Sequence, residues 1–280
     1  MIMNKKKILI IGKNSFLGQN LFLGIKKKFN TKLLSYEEFN KLDKKKLKNF
    51  NYICNSAIDF KYINFKYKKK NDIDLNIVKK IQNYNTNFIF LSSRKVYLNA
   101  ENIKENENVK PKCNYSKNKI ITEKKIYKLL KNKVTILRIA NVLGLKKKGL
   151  RRTHTSFIDN YIKYISNNKK IYYINEYKDF ITINQFIKIF FAIIKNDLKG
   201  IYNVSSGKKI YINQILKWLN YKNMSKNKFF IKKNAKLKNS FTLNNSKLIN
   251  LTKIKIKKNE IKKFCVKMGK IIYCKFNHAM

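Results

Sequence analysis

The sequence predicts an α/β fold built around a parallel β-sheet. In the first half of the chain, short apolar runs alternate with longer stretches that carry apolar residues at helical spacing. The apolar runs are continuous, as expected for strands that are buried on both faces of a sheet. The first run also passes through Gly12 directly into a helical pattern. These observations together indicate a doubly wound parallel sheet with helices on both sides.

Five strands are predicted in order, because short runs are enriched in β-branched and aromatic residues. They are Ile8–Ile11, Lys32–Leu34, Asn51–Asn55, Asn87–Leu91 and Val134–Arg138. A helix is predicted from Phe16 to about Lys28. Apolar residues at helical spacing predict one further helix before the fourth strand and one before the fifth. These residues are Leu75, Val78 and Ile81, and then Ile120, Ile126, Tyr127 and Leu130.

The second half of the chain is less regular and more basic than the first. We predict one domain over residues 1–150 and a smaller lobe over residues 151–280, interleaved with the last strands of the sheet. The chain has only one proline and eight glycines, so no flexible linker marks the boundary.

Lysine dominates the strong positive charge of the chain. The sequence has 65 Lys and Arg against 15 Asp and Glu, a formal net charge of +50. Only four of these cations are arginine, whose planar guanidinium is better suited than an ammonium to bidentate phosphate recognition. We interpret most of the charge as solvated surface, with nucleic-acid binding as the alternative.

Composition excludes several other classes of protein. A hydrophobic content of 44% is too high for a disordered chain. The four cysteines form no C-x-x-C pair and only two histidines exist, so we expect no metal site and a reducing cytoplasm. No apolar run is long enough to span a bilayer. We therefore expect a cytoplasmic protein without a membrane partner.

A glycine-containing turn, G-K-N-S-F-L-G, joins the first strand to the first helix. Such a turn directs backbone N–H groups and the positive end of the helix at a phosphate. Gly12 permits the tight turn and Gly18 permits close packing of helix on strand, while Ser15 stands where a glycine would best admit a pyrophosphate. The turn predicts a dinucleotide site, and an ordinary helix start is the alternative.

A second candidate site combines a serine, a tyrosine and a lysine. The fourth strand ends in L-S-S-R-K-V-Y, and Y-S-K-N-K follows, with Tyr115 and Lys119 four residues apart on one helix face. A phenol ordinarily titrates near pH 10, and a neighbouring ammonium favours its ionised form. Such a set moves a proton while a nicotinamide accepts or donates a hydride.

Context distinguishes this pair from chance matches, which are frequent in a lysine-rich chain. Three pairs fit Y-x-x-x-K: Tyr62/Lys66, Tyr115/Lys119 and Tyr127/Lys131. Only the middle pair has the single proline, Pro111, four residues before its tyrosine and Glu123 four residues after its lysine. We therefore select the middle pair.

The order of the motifs resembles that of the extended short-chain dehydrogenase/reductases, which have a Rossmann-type fold with a smaller C-terminal substrate-binding lobe. Further matching motifs are N-S-A from Asn55, L-R-x-x-N-V-x-G from Leu137, K-D-F-I-T-I from Lys178 and G-I-Y-N-V-S-S-G from Gly200. More narrowly, the chain is similar to the NAD-dependent epimerase/dehydratase family and to dTDP-4-dehydrorhamnose reductases, which act on nucleotide sugars. The resemblance implies NAD(P) binding by residues 1–150 and substrate binding mainly by residues 151–280.

The resemblance also implies roles for the matching residues. Tyr115 is expected to be the acid/base, Lys119 its activator and a ligand of the nicotinamide ribose, and Ser93 the hydroxyl partner. The residues expected around NAD or NADP are Gly12, Ser15, Phe16, Leu17, Gly18, Asp43, Ser56, Ala57 and Lys119. Those expected at the nucleotide-sugar substrate are Ser93, Asn141 and Lys178. A homodimer stays open as its assembly, and no metal is expected.

Some positions depart from the family pattern. The second strand ends in L-L-S-Y-E-E, with no acidic residue at its tip for a ribose 2′-hydroxyl and no arginine for a 2′-phosphate. NAD and NADP therefore both stay open, and Asp43 is equally an adenosine-side ligand or a surface carboxylate. Lys178 stands where the family usually has arginine. Lysine keeps the positive charge but lacks the guanidinium, which can bind a phosphate through two parallel hydrogen bonds.

The main hypothesis is a nucleotide-sugar epimerase or 4-keto reductase of polysaccharide biosynthesis. A cofactor-binding module without catalysis and an RNA-associated protein are the alternatives. Dehydration is disfavoured, because Arg94 and Lys95 occupy the places of the acidic pair that dehydratases commonly have. The aromatic and lysine-rich segment 60–71 fits a solvated loop better than an RNA site, and His154 fits an ordinary loop histidine better than a phosphate ligand.

Overall fold

A computed structural model describes residues 6–145, 156–167, 170–220, 229–231 and 239–277. The strands are β1 (Lys7–Ile11), β2 (Asn30–Leu34), β3 (Tyr52–Asn55), β4 (Asn87–Ser93), β5 (Val134–Ile139), β6 (Asn141–Leu143), β7 (Ile171–Tyr173), β8 (Tyr177–Lys178), β9 (Phe180–Thr182), β10 (Gly200–Val204), β11 (Ile210–Tyr211) and β12 (Phe229–Ile231). The α-helices are α1 (Phe16–Ile25), α2 (Tyr36–Asn40), α3 (Lys44–Leu47), α4 (Phe60–Asn64), α5 (Ile73–Ile81), α6 (Asn114–Leu130), α7 (Phe157–Ser166), α8 (Ile183–Lys195), α9 (Ile212–Leu219), α10 (Ser246–Thr252) and α11 (Lys258–Asn277).

Six parallel strands form the central sheet in the order β2-β1-β3-β4-β5-β10. The chain order reverses at β1, which lies between β2 and β3. In open α/β sheets, ligands bind in the crevice outside the carboxyl ends of the strands at such a switch point. Gly12 follows β1 and Ser56 follows β3, so both residues lie at this crevice. The predicted doubly wound parallel sheet is confirmed.

The central strands contribute to two separate hydrophobic cores, one on each face of the sheet. From β1, Ile8 and Ile10 join a core formed with α1 and α8, while Leu9 and Ile11 join a core formed with α5 and α6. All four side chains are fully buried. Burial on both faces explains why the strand sequences are continuously apolar.

The second half of the chain supplies the last strand of the central sheet. β10 pairs in parallel with β5, with Gly200 opposite Thr135 and Val204 opposite Ile139. Outside this sheet, the described residues form the two-stranded pairs β6–β9, β8–β11 and β7–β12. The second half is therefore interleaved with the sheet.

The prediction for Tyr127 is wrong. Its spacing predicts a position on the apolar face of α6, but its side chain is 55% exposed. The buried face of this part of α6 is formed by Ile126 and Leu130, and Tyr127 follows Ile126 by one residue, or about 100° of rotation. The first helix, α1, is shorter than predicted, because it ends at Ile25, three residues before its predicted end.

The prediction of a solvated loop at residues 60–71 is also wrong. This segment contains α4, in which Tyr62 and Ile63 are buried. The Tyr62 hydroxyl lies 2.7 Å from the Thr122 hydroxyl of α6. Phe60 and Phe65 are exposed, Tyr67 is partly exposed and Tyr62 is buried, so only part of this segment faces solvent.

Candidate active site

The turn between β1 and α1 is closed by hydrogen bonds. Gly12 has a φ of +113°, a conformation that L side chains rarely adopt, and its N–H donates to the Leu34 carbonyl at 2.8 Å. Ser15 caps α1, since its hydroxyl accepts the Gly18 N–H at 2.9 Å. The turn therefore holds the positive end of α1 at the switch point of the sheet.

Ser56 packs directly against this turn from the end of β3. Its Oγ lies 2.6 Å from Ser15 Oγ and donates to the Ile11 carbonyl at 2.9 Å. A Cβ atom at Gly12 or at Gly18 would overlap the Ser56 hydroxyl. Both glycines are thus required by the close approach of β3 to the turn, and a small Ser15 fits the same contact.

The other predicted cofactor residues have different surroundings. The Phe16 side chain belongs to the hydrophobic core, and Leu17 packs partly against it. Ala57 follows β3, and its N–H donates to the Asn55 side chain at 2.9 Å. Asp43 is exposed at the N-cap of α3, where its carboxylate accepts a backbone N–H. The cap gives Asp43 a structural role, and its contact with adenosine stays a prediction.

Glu38 of α2 is not among the predicted cofactor residues, but its carboxylate folds back to Ser35, directly after β2. The capping box of α2 brings its carboxylate 2.6 Å from the Ser35 N–H, and Lys13 Nζ lies 3.1 Å away. The backbone hydrogen bond to Ser35, and then Lys13, lower the pKa of Glu38, which is therefore ionised at neutral pH. The S-x-x-E pattern of a capping box could have revealed this position.

Ser92 and Ser93, at the end of β4, have different partners. Ser92 is buried and donates to Glu123 of α6, which also pairs with Arg138 of β5 at 2.7 Å. Ser93 is partly exposed, and its hydroxyl accepts the Lys95 N–H at 3.3 Å. Ser92 is therefore engaged in a buried network that joins β4, α6 and β5, whereas Ser93 lies at the carboxyl edge of the sheet.

Tyr115 lies in the first turn of α6, and Lys119 follows one turn later. Lys119 is only 4% exposed, and its Nζ lies 6.0 Å from the centroid of the Tyr115 ring and 4.4 Å from that of Phe90 in β4. Lys95 Nζ also lies 6.0 Å from the centroid of the Tyr115 ring. The structure thus brings two ammonium groups, one buried and one exposed, to the Tyr115 ring.

Asp74 of α5 is a buried partner of Lys119 that the sequence analysis missed. Its carboxylate lies 3.5 Å from Lys119 Nζ. Burial opposes the charge on Lys119, but the surrounding negative groups, Asp74 first, outweigh burial and raise the Lys119 pKa. The apolar stripe of α5 could have revealed this residue, because Asp74 shares it with Ile77 and Val78, and a buried carboxylate needs a partner.

The predicted substrate residue Asn141 contacts Asp179, which follows the predicted substrate residue Lys178 in the chain. Both the N–H and the side chain of Asn141 donate to the Asp179 carbonyl at 3.3 Å. Lys178 Nζ lies 3.5 Å from the Glu176 carboxylate. Burial lowers the pKa of Lys178, Glu176 opposes this effect, and the nearby Arg94 adds to it. Lys178 and Arg94 therefore belong to one electropositive region.

The Asp179 carboxylate joins two of the matching motifs. It accepts hydrogen bonds from the N–H and hydroxyl of Ser206 and from the N–H groups of Gly207 and Leu243, at 2.7–3.1 Å. Burial raises the pKa of Asp179 to about 6 against the effect of these hydrogen bonds. K-D-F-I-T-I and G-I-Y-N-V-S-S-G are therefore in direct contact through one buried carboxylate.

The model of the NAD dependent epimerase/dehydratase family matches residues 54–205, which is more than half of the chain. The chain belongs to this family. The resemblance stated from the motifs is confirmed. A search of curated proteins found no significant match.

Solved structures share the whole fold with this epimerase/dehydratase family member. UDP-N-acetylglucosamine 4-epimerase from Methanobrevibacter ruminantium M1, in complex with UDP-N-acetylmuramic acid, is 19% identical, with a TM-score of 0.79 over 98% of this chain and 100% of that chain. UDP-glucuronic acid 4-epimerase from Bacillus cereus, in complex with NAD, is 16% identical, with a TM-score of 0.74 over 95% and 99%. dTDP-glucose 4,6-dehydratase from Bacillus anthracis, also with NAD, is 14% identical, with a TM-score of 0.71 over 96% and 97%. At these identities the likeness shows the fold.

Two further sequence predictions concern His154 and membrane-spanning segments. His154 lies outside the described residues. Within the part of the chain that the structure describes, no helix has the length and apolarity needed to cross a membrane.

Proposed function

We propose that this protein is a NAD-dependent 4-epimerase of a nucleotide sugar and that Tyr115, Lys119 and Ser93 carry its acid–base chemistry. The observation that carries this proposal is the pairing of Tyr115 with a buried lysine on α6, beside the carboxyl end of β4. Membership of the epimerase/dehydratase family supports it. So does the fold shared with two nucleotide-sugar 4-epimerases.

The turn after β1 fits the pyrophosphate of NAD. A side chain at Gly12 or Gly18 would collide with Ser56, so backbone N–H groups and the N-terminus of α1 border the crevice. Ser56 and Ala57 would lie on the adenosine side. The bound nicotinamide supplies the acceptor and donor of a hydride.

Glu38 favours NAD over NADP. An acidic residue at the tip of the second strand accepts a hydrogen bond from the ribose 2′-hydroxyl in dinucleotide-binding folds. The same charge repels the 2′-phosphate of NADP. Lys13 partly neutralises Glu38, so we expect a preference rather than an absolute choice.

Tyr115 acts twice in the proposed reaction. It accepts the proton of the sugar 4-hydroxyl as that carbon becomes a ketone, and it returns a proton when the ketone is reduced on its other face. Ser93 orients the same oxygen. The Lys119 ammonium stabilises the negative charge on the Tyr115 oxygen while the proton is away, and its burial limits screening by water.

Cations surround the proposed sugar and diphosphate positions. Asn141 and Lys178 would meet the substrate diphosphate, and Arg94 and Lys95 follow Ser93 directly. Dehydratases of the family commonly have an acidic pair at these two positions, where this chain has Arg94 and Lys95. The site therefore supports epimerisation better than dehydration.

Release of bound cofactor and a substrate panel test the proposal. Denatured protein is analysed for NAD, and native protein is incubated with UDP-, GDP- and dTDP-hexoses, with 4-epimers separated by chromatography. We expect about one NAD per chain and interconversion of epimers without added NADH. Stoichiometric oxidation of NADH or NADPH by a 4-keto sugar would identify a reductase instead. If the protein contains no bound NAD and turns over no sugar of the panel, the proposal is overturned.

A further inference from the structure

Asp74 forms an ion pair that the proposed chemistry does not itself require. The residue lies in the first turn of α5 and is 5% exposed. One carboxylate oxygen lies 3.5 Å from Lys119 Nζ, and the other accepts a hydrogen bond from the Asn55 side chain at 2.9 Å. The carboxylate is thus held by β3 on one side and directed at the lysine of α6 on the other.

Stability alone does not call for an ion pair at this position. Asp74 stands one turn before Ile77 and Val78 on the stripe of α5 that fills the hydrophobic core. Removing both members of a buried ion pair from water costs about as much as their attraction returns, so an apolar pair is often at least as stable. The charge of Asp74 therefore calls for a role at Lys119.

The elements packed around Lys119 Nζ supply aromatic rings and negative charge. Phe90 of β4 and Tyr62 of α4 place ring centroids 4.4 and 5.6 Å from it. A second acid, Asp72, caps α5 and accepts a hydrogen bond from Thr122 of α6 at 2.6 Å. The other titratable groups around this cluster are Tyr115, Tyr67 and Cys54.

We propose that Asp74 is a positioning residue that holds Lys119 against Tyr115 and keeps it charged inside the site. Burial alone disfavours an ammonium, and Asp74 is the strongest of the groups that oppose this effect on the Lys119 pKa. The ion pair also fixes the end of a long, flexible side chain. This inference rests on the proposed function, because the acid–base role of Tyr115 is what requires a charged Lys119.

Asp74→Asn tests the inference, since it removes the charge while closely preserving the shape of the side chain. Lys119 then loses its proton at a lower pH, so the alkaline limb of the profile of kcat against pH moves down by about one to two pH units. Asp74→Glu retains the charge, so its alkaline limb should fall at nearly the same pH as that of the wild type. A merely structural role would lower kcat equally at every pH, and that result would overturn the inference.

Glu101→Gln is the matched control. It also removes a carboxylate that pairs with a lysine, Lys209 at 2.6 Å, but both side chains are about half exposed. Solvent screens such a pair, so the limbs of the pH profile should not move. A shift as large as that of Asp74→Asn would mean that the net charge of the protein, and not this contact, sets the limb.

An NMR titration separates failure of this inference from failure of the proposed function. Lysine side chains are labelled with ¹⁵N, and the Lys119 Nζ signal is assigned by its loss in Lys119→Met. In Asp74→Asn the signal should titrate at a lower pH than in the wild type, whether or not a nucleotide sugar is turned over. Identical titrations in both proteins, with unchanged melting temperatures, would contradict the role of Asp74.

Discussion

The two Tyr-x-x-x-Lys pairs of α6 share a helix and a spacing but differ in their surroundings. At the N-terminal end, Lys119 is buried and paired with Asp74. At the C-terminal end, Tyr127 is 55% exposed, and Lys131 is the exposed C-cap with a φ of +50°. One pair is therefore a candidate acid–base site, and the other is solvated surface.

The difference arises from what packs against each end of the helix. α4 and α5 cover the N-terminal half of α6 and supply Tyr62 and Asp74. At its other end α6 leads through a short 3-10 turn into β5, and Tyr127 faces solvent. A sequence motif with a flexible cation thus becomes a site only where neighbouring elements remove water and supply a counter-charge. Matched substitutions of one residue type test this conclusion.

Lys119→Met is expected to have the largest effect of these substitutions, compared with Lys131→Met on the same helix. Loss of the buried ammonium should lower kcat about 100- to 1,000-fold, because general acid–base catalysis contributes a factor of this size. Lys131→Met should leave kcat within about twofold. Steady-state kinetics with the sugar identified in the substrate panel measure both. Equal effects would remove the distinction between the two pairs.

Asp179→Asn should destabilise the fold by about 2 kcal/mol at pH 7, because an amide cannot accept all the donors that converge on this carboxylate. The raised folded-state pKa of about 6 means that the folded chain binds this proton more tightly than the unfolded chain does. The resulting stabilisation of the wild type is present below about pH 4 and is lost as the pH rises through 6. Asparagine does not titrate, so the loss in free energy of unfolding caused by the substitution should be larger at about pH 4 than at about pH 7. Urea unfolding at both pH values measures it.

Asp197→Asn is the control for this comparison. Asp197 also contacts a lysine, Lys199 at 2.7 Å, but its side chain is 59% exposed, and an asparagine oxygen can still accept the hydrogen bond that the Tyr52 hydroxyl donates. Its loss should change the free energy of unfolding by less than about 1 kcal/mol. A pH dependence equal to that of Asp179→Asn would contradict the assignment to the buried carboxyl.

Gly18→Ala and Gly24→Ala compare two glycines of α1. A Cβ at Gly18 would overlap the Gly12 carbonyl and Ser56 at the turn, whereas a Cβ at Gly24 would overlap the Ile187 side chain of α8. Gly18→Ala should therefore weaken NAD binding about tenfold or more, since the crevice at the turn must widen. Gly24→Ala should leave it nearly unchanged. Calorimetric titration with NAD distinguishes the two outcomes.

Glu38→Gln should have the smallest effect. The ratio of the affinity for NADH to the affinity for NADPH should fall about three- to tenfold. Glutamine retains the capping box and removes only the charge. Its neighbour Glu37 lacks the contact with the Ser35 N–H, so Glu37→Gln should not change the preference. Fluorescence titration with both reduced cofactors measures it. An unchanged preference in Glu38→Gln would exclude this carboxylate from the adenosine site.

The sequence predicts the inner strands of the sheet well and its margins poorly. β1, β3, β4 and β5 are continuous apolar runs, and their predicted bounds agree within two residues. β2 is an edge strand in which only Leu34 is buried, so its pattern is weak. β10 pairs with β5, which precedes it by more than 60 residues, and no local spacing reveals such a partner.

Residues of the candidate site divide in the same way. Tyr115 and Lys119 could be found because spacing along one helix places them together. Local patterns mark Asp74 and Glu38, but the groups they contact do not follow from those patterns, because the contacts depend on helix packing and on a side chain that folds back to a cap. Residue pairs within one helix can therefore be predicted from sequence, whereas the charged residues that contact them lie on other elements and cannot.

Turnover of a nucleotide sugar by Tyr115→Phe, measured beside Tyr127→Phe, tests the central claim most directly. Both substitutions remove one hydroxyl from a Tyr-x-x-x-Lys pair of α6 and leave the ring in place. We expect Tyr115→Phe to lose at least about 100-fold in kcat while retaining bound NAD and its melting temperature, and Tyr127→Phe to match the wild type. Full turnover by Tyr115→Phe would contradict the account.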